Sequence, residues 1–217
     1  MKVELIKALA EDLDVVNAAR VSVDQWHDLM EEGDDKLIGF LMRERHGSPF
    51  EHAYFKFRVE APIFVFREWH RHRVGHSYNE MSGRYTELEP IFYSPETFRI
   101  QVGKPGAYKY IELDPSDRYD EAWGIMQDSF QESWIAYQSL LKLGIAREQA
   151  RAVLPVGTYS KMIWSCNPRS FMHFLGLRNA PQAQKEIRLL AASAEQHLRT
   201  YMPITHAAFV NNGRIAP

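Results

Sequence analysis

The sequence lacks the features that would mark a disulfide-stabilised, secreted or membrane-bound protein. Its 217 residues include one cysteine, Cys166, which excludes an internal disulfide and a Cys-x-x-Cys metal site. No stretch approaches the ~20 consecutive apolar residues of a membrane span. The charged residues 1–7 also lack the apolar run of a signal peptide. These absences favour a cytoplasmic protein without a membrane partner.

A large charge imbalance and a Rossmann motif are absent as well. The formal net charge is −2 at pH 7, whereas a dedicated nucleic-acid-binding domain is usually strongly basic, so no polynucleotide partner is expected. No Gly-x-Gly-x-x-Gly motif follows a strand pattern, which argues against a Rossmann dinucleotide site. Neither an internal repeat nor a low-complexity segment divides the chain. We therefore predict a single domain over residues 1–217.

Hydrophobic patterning predicts an α+β fold. Apolar and polar residues alternate at 53–60, which is typical of a half-buried strand. Apolar residues recur every three or four positions from about 117 to 143 and predict a long amphipathic helix that stops near Gly144. Turn residues at 100–117 predict an excursion. Further strands are predicted at 2–8 and 158–164, and further helices at 36–45, from Pro62, at 147–153, from Asn167 and at 182–201. Together they predict an antiparallel sheet with surrounding helices.

Residues 71–85 carry the strongest functional signal. They contain three arginines, two histidines, two serines and a carboxylate, directly after the apolar run 62–66. The planar fork of arginine matches phosphate or carboxylate oxygens, so this pattern predicts an anion-binding site. Ser82-Gly83-Arg84 has the composition of an oxyanion cradle, because glycine allows close backbone approach and the serine donates. The alternatives are an exposed basic loop and a simple turn before Tyr85.

The same residues resemble the signature of flavin-dependent thymidylate synthases. Arg-His-Arg at 71–73 is followed by eight residues and then by Ser-Gly-Arg-Tyr at 82–85. Many family members have seven intervening residues, and the extra residue here falls around Val74-Gly75-His76. Further matches follow the family's order over nearly the whole chain. They lie at 19–22, 46–52, 61–65, 151–155, 167–170 and 174–178.

The resemblance implies a reaction, its cofactor and its assembly. Members of this family convert deoxyuridine monophosphate (dUMP) to dTMP, with methylenetetrahydrofolate as carbon donor and NADPH reducing the bound FAD. The resemblance also implies a homotetramer with active sites shared between chains. Because the cofactor carries the hard chemistry, the protein's task is to orient and polarise the reactants.

The resemblance further implies roles for single residues. Arg178 would pair with the uracil ring and favour loss of its imide proton, since a fixed cation lowers the pKa of a nearby acid. A cap on the last helix carbonyls is the alternative for Arg178. His46 would lie near flavin and substrate as a second catalytic candidate. Glu68 stands where the family often has Gln; a carboxylate cannot donate, so Glu68 is either protonated or bound to something else. The other implied substrate contacts are Trp69, His70, Arg71, Ser82, Gly83, Arg84 and Arg151, and the implied FAD contacts are Ser48, Arg71, His72, Arg73, Glu80, Asn167, Arg169 and His173.

Two other classes of function are compatible with parts of the sequence. Clustered arginines beside Tyr78 and Tyr85 suit a nucleic-acid-binding module. The second class is a metal hydrolase, with candidate ligands His46, His70, His72 and His76. Cys166 has no histidine–carboxylate pair beside it in the sequence, so we interpret it as structural. Ser82 lacks a local general base, so we assign it to phosphate binding.

Overall fold

The computed structural model describes residues 1–113 and 118–217. The end of the predicted excursion and the predicted helix start at 117 lie outside the described residues. Two compact units are present: unit 1 comprises Met1–Met81 and Ser160–Pro217, and unit 2 comprises Ser82–Tyr159. The single domain over 1–217 stays a prediction. No helix in the described part of the chain is long and apolar enough to cross a membrane.

A four-stranded sheet organises unit 1. Its strands are β1 (Lys2–Leu9), β2 (Tyr54–Pro62), β3 (His76–Glu80) and β6 (Tyr159–Cys166), in the order β1-β2-β6-β3. β1 pairs with β2 in antiparallel register, with Val3 opposite Val59. β3 pairs with β6 in the same sense, with His76 opposite Cys166. The predicted α+β class with an antiparallel sheet is confirmed.

The core of unit 1 lies between this sheet and its helices. Phe55 and Phe57 of β2 are fully buried, while Arg58 is exposed, as the alternation predicts. Trp164 of β6 stacks on Phe57, with ring centroids 4.9 Å apart. The helices of unit 1 are α1 (Asp12–Arg20), α2 (Asp34–Arg43), α3 (Ile63–Trp69), α6 (Pro168–Arg178), α7 (Lys185–Tyr201) and α8 (Pro203–Asn211), with short 3-10 turns at Val21–Val23 and Ser48–Glu51.

The start of α6 follows from its sequence. The side-chain oxygen of Asn167 accepts the backbone N–H of Ser170 at 2.8 Å, and Pro168 occupies the first turn, where its missing N–H costs nothing. This cap fixes the direction in which α6 leaves the sheet. Arg178, the last residue of α6, is thereby positioned beside α3.

Unit 2 contains a hairpin and a long helix. The hairpin consists of β4 (Arg99–Val102) and β5 (Lys109–Glu112), and Gly103 and Gly106 in its turn have φ of 102° and 84°. The turn residues at 100–117 therefore mark a real turn, but two short strands flank it. The predicted long helix is α4 (Tyr119–Lys142), after which Gly144 has φ of 79°. The remaining helices of unit 2 are α5 (Arg147–Ala150) and the 3-10 turn Arg151–Val153.

Candidate functional site

Arg178 is held by three hydrogen bonds from its guanidinium. Nε donates to Nε2 of His72 at 3.0 Å, Nη1 to Oε2 of Glu68 at 2.8 Å, and Nη2 to the backbone oxygen of Glu68 at 3.0 Å. All three partners belong to α3 and the turn after it. The side chain of Arg178 therefore reaches across to a second helix, and the alternative of a cap on its own helix is not what the structure shows.

The anchored guanidinium keeps free donors. Arginine has five N–H groups, and the three bonds leave two that have no partner among the described residues, one on each terminal nitrogen. The side chain of Arg178 retains 21% of its exposure, so a ligand can reach it. Two N–H groups on adjacent nitrogens match two acceptors of a carboxylate or of a deprotonated imide. Glu68 is accounted for as well, because its carboxylate is bound to Arg178.

His72 is a buried, neutral acceptor beside Arg178. Burial, and then the neighbouring cation of Arg178, lower the pKa of His72 to about 3. Because Nε2 accepts from Arg178, the ring proton lies on Nδ1, which is buried and has no hydrogen-bond partner in the described residues. Burial likewise lowers the pKa of His76 to about 4, and its Nδ1 accepts the indole N–H of Trp164 at 2.9 Å.

Tyr78 fixes the turn that carries His72. Its hydroxyl donates to the backbone oxygen of His72 at 2.8 Å and contacts that of Trp69 at 3.3 Å. Burial raises the pKa of Tyr78 above its usual value, so the hydroxyl remains a donor. Sequence reasoning did not assign Tyr78 this role; the only signal was its place between Arg-His-Arg at 71–73 and Ser-Gly-Arg-Tyr at 82–85.

Arg169 forms a second anchored group with the turn at 47–48. Nη1 of Arg169 donates to Glu51 at 2.6 Å, and Nε donates to the backbone oxygen of Pro217 at 2.8 Å. A Cβ added to Gly47 would lie 2.5 Å from the guanidinium carbon, so only glycine allows this close approach. Arg169 is thus held against the backbone next to Ser48, whose side chain is exposed. Glu51 lies inside the matched motif at 46–52, but its ion pair was not expected.

The other candidate flavin contacts are open to solvent. The side chains of Arg71 and Arg73 are exposed, and neither makes an ion pair or side-chain hydrogen bond within residues 1–113 and 118–217. His173 is exposed, with its ring 5.7 Å from that of His72. His46 is exposed beside Phe40, at 5.6 Å between rings. Exposed arginines without an ion pair among the described residues suit the pyrophosphate of a dinucleotide, so Arg71 and Arg73 fit FAD.

Three further candidates occupy different environments. Trp69 is fully buried and packs on Phe174, with centroids 4.6 Å apart, so it supports α3 from within the core. His70 is partly buried, 4.9 Å from the ring of Tyr78. Glu80 is exposed at the end of β3, opposite Met162. Of these, His70 and Glu80 retain open side chains.

The residues predicted to form the oxyanion cradle lie close together within unit 2. The Oγ of Ser82 accepts the backbone N–H of Arg84 at 3.2 Å. A Cβ on the buried Gly83 would lie 3.2 Å from the side chain of Arg151, so the structure brings these residues together. Arg84 pairs with Glu148 at 3.1 Å, and both side chains are 54% exposed. Such an exposed pair contributes little stability and can be exchanged for an anionic ligand.

Two histidines of the metal-hydrolase alternative, His72 and His76, and the thiol of Cys166 are not available for those reactions. Nε2 of His72 and Nδ1 of His76 are already taken by Arg178 and Trp164. No group of three or more His, Cys, Asp or Glu among the described residues could hold a metal ion. Cys166 is fully enclosed, and burial raises its thiol pKa well above the usual value, which leaves it protonated and unreactive.

A cavity of about 530 Å³ also lies in unit 1. It is lined by α1 and by the segment after it, including Trp26, His27 and Asp28, and by His52. None of the residues predicted for substrate or cofactor lines it. The candidate site is therefore defined by polar contacts around Arg178 and Arg169 rather than by this cavity.

Comparison with known proteins gives consistent matches. Residues 4–204 match a family model described as thymidylate synthase complementing protein. The chain is 49% identical to the flavin-dependent thymidylate synthase of Streptomyces coelicolor, over 99% of this chain and 93% of that protein. It is 43% identical to the enzyme of the same name from Thermus thermophilus, over 95% of this chain and 74% of that protein. The crystal structure of a UMP/dUMP methylase PolB from Streptomyces cacaoi bound with 5-Br UMP matches with a TM-score of 0.90 and 43% identity, over 100% and 96% of the two chains.

Proposed function

This chain belongs to the flavin-dependent thymidylate synthases, and on that premise we propose which of its residues bind and activate the substrate. The reaction is the reductive methylation of dUMP to dTMP with methylenetetrahydrofolate as carbon donor. When bound, FAD reduced by NADPH supplies the reducing equivalents. The protein's own contribution is to bind the nucleotide, orient it and control one proton.

Arg178 acts on the uracil ring. The observation that carries this assignment is the anchored guanidinium with two open N–H groups. These two donors meet adjacent acceptors of the ring, and the positive charge lowers the pKa of the imide. A uracil that has lost its imide proton is electron-rich at carbon 5, which is where the methyl group must be attached. Glu68 serves this step by fixing Arg178.

The cradle in unit 2 takes the phosphate of dUMP. Ser82 and the backbone at Gly83 donate to phosphate oxygens, and Arg84 exchanges its exposed pair with Glu148 for the phosphate. Arg151, which packs beside Gly83, adds a second positive charge. Trp69, His70 and Arg71 remain predicted substrate contacts, with Trp69 acting through packing.

FAD is held by the exposed arginines and the Arg169 group. Arg71 and Arg73 offer unpaired positive charges to the pyrophosphate. The anchored guanidinium of Arg169 lies against Gly47, and the next residue, Ser48, offers its hydroxyl. The remaining proposed contacts are His46, His72, Glu80, Asn167 and His173. We further propose that the enzyme is a cytoplasmic homotetramer with shared active sites.

The purified protein tests these assignments directly. We expect a yellow protein, or a flavin absorbance change with micromolar or tighter affinity when FAD is added. With dUMP, methylenetetrahydrofolate and NADPH, it should form dTMP, and UMP is the matched second substrate because a structural neighbour is a UMP/dUMP methylase. A colourless protein that neither responds to FAD nor forms dTMP would refute the proposal. Sedimentation analysis gives the subunit number in parallel.

A further inference from the structure

We propose that His72 is a positioning residue, whose neutral imidazole holds Nε of Arg178 and so aims the two open N–H groups of Arg178 at the substrate base. The inference rests on the proposed contact between Arg178 and uracil. This positioning role is additional to the proposed contact of His72 with FAD. The two residues are 106 positions apart and meet at 3.0 Å.

The hydrogen bond dictates the tautomer of His72. A guanidinium can only donate, so Nε2 must carry the lone pair and Nδ1 the proton. Nδ1 is buried and has no partner in the described part of the chain. The bond to Arg178 is therefore the one hydrogen bond that the ring of His72 makes among the described residues.

The surroundings of the ring support the same conclusion. The ring packs edge-on against Phe174 at 5.0 Å, and His76 and His173 lie at 5.8 and 5.7 Å. An apolar side chain of similar length would fill this space. It would, however, leave Nε of Arg178 without its acceptor, and only the two bonds to Glu68 would then hold the orientation of the guanidinium.

A neutral acceptor also preserves the charge that the reaction needs. Glu68 already supplies one carboxylate to Arg178 at 2.8 Å. A second carboxylate at position 72 would overcompensate the guanidinium and repel an ionised uracil, and a protonated imidazole would repel Arg178 itself. Burial lowers the pKa of His72 to about 3, so the ring is uncharged near neutral pH.

A matched pair of variants tests the proposal. H72Q carries an amide oxygen at about the reach of Nε2, whereas H72M has a similar length and only a weakly accepting thioether sulfur. In H72M we expect the dUMP dissociation constant to rise, and the rate of dTMP formation to fall, each by about tenfold or more. With FAD at a saturating concentration, the melting temperature should stay near the wild-type value, and H72Q should recover most of both losses. If FAD-saturated H72M matches wild type, if H72Q is no better than H72M, or if H72M fails to fold, the proposal is wrong.

A double-mutant cycle separates action through Arg178 from other effects. If His72 acts through Arg178, H72M should change dUMP affinity no further in an R178A background. Effects that multiply instead would overturn the assignment. The exchange rate of the Arg178 Nε–H, observed by NMR, should rise in H72M and stay near wild type in H72Q. Because this readout requires no turnover, an enzyme that makes no dTMP would refute the proposed function while the contact itself remains testable.

Discussion

Replacement of Arg178 by alanine is the sharpest test of the proposed active site. In the proposed site, the guanidinium meets the substrate with charge-assisted bonds that strengthen as the uracil becomes anionic, so its loss should act on the transition state. Removing one such preorganised donor typically costs about 3–4 kcal/mol, which corresponds to two to three decades in rate. The expected result is that loss in single-turnover dTMP formation from pre-reduced R178A, with FAD content near wild type.

The structure adds a second contribution to that loss. Without Arg178, the carboxylate of Glu68, which is 30% exposed, would stand unpaired beside the uracil. A like charge about 4 Å away costs about 1 kcal/mol in water and about 4 kcal/mol at an effective dielectric constant of 20. The double variant R178A/E68Q should therefore recover at least about fivefold relative to R178A. Equal rates for the two variants would show that Glu68 does not face the substrate.

Two further variants complete the test. R178K should rescue poorly, since an ammonium group lacks the planar fork needed to reach both Glu68 and His72 and still present two donors. R199A, which removes an exposed arginine of α7, is the control. Oxidation of the reduced flavin by oxygen should be unchanged in R178A. Unchanged single-turnover dTMP formation in R178A, with dUMP affinity measured in parallel, would remove Arg178 from the catalytic residues.

Three other outcomes follow from buried and constrained positions. C166A should retain most synthase activity and lose about 1 kcal/mol of stability; a folded variant that loses several decades of activity would make Cys166 functional. G75A should lose about 2 kcal/mol or more in denaturant unfolding, because Gly75 has φ of 69° and an added Cβ would clash with Oγ of Ser170; an unchanged midpoint would refute this. His72 and His76 have pKa values of about 3 and about 4 in the folded protein, against the usual 6.5. The unfolded chain therefore binds more protons between pH 6.5 and pH 4, so the free energy of unfolding should fall there as pH falls, by up to about 1.4 kcal/mol per pH unit for each histidine and less for the partly screened His76. H72M should show a shallower slope, and a flat profile would contradict the burial of both rings.

Sequence reasoning predicts the strands and helices whose signals come from a few neighbouring residues. The alternation around Phe55 and Phe57 gives β2, and Asn167 with Pro168 gives the start of α6, because strand period and helix capping each depend on a few neighbouring residues. Strand β3, His76–Glu80, was not predicted, since its side chains are mostly polar and exposed. Its strand geometry comes from pairing with β6, which no local pattern reveals.

In the candidate site, too, sequence reasoning identifies single residues but not their long-range contacts. The resemblance picks out Arg178 and Arg169, but not what holds them. Arg178 and Glu68 are 110 positions apart, and Arg169 and Glu51 are 118 apart. Contacts between residues so distant in sequence leave no periodicity to read. Arg169 also donates a hydrogen bond to the backbone oxygen of Pro217, and every residue type has such an acceptor.

The two open N–H groups of Arg178 have a consequence for the affinity of uracil nucleotide inhibitors. An anchored cation with two free donors binds a ring more strongly once that ring carries a negative charge. Electron-withdrawing substituents at carbon 5 make the uracil imide more acidic, so a larger fraction of such a nucleotide is ionised at a given pH. Affinity among uracil nucleotide analogues should thus rank by ring acidity rather than by substituent size, and the advantage of acidic analogues should shrink as the pH rises and the parent nucleotide ionises as well.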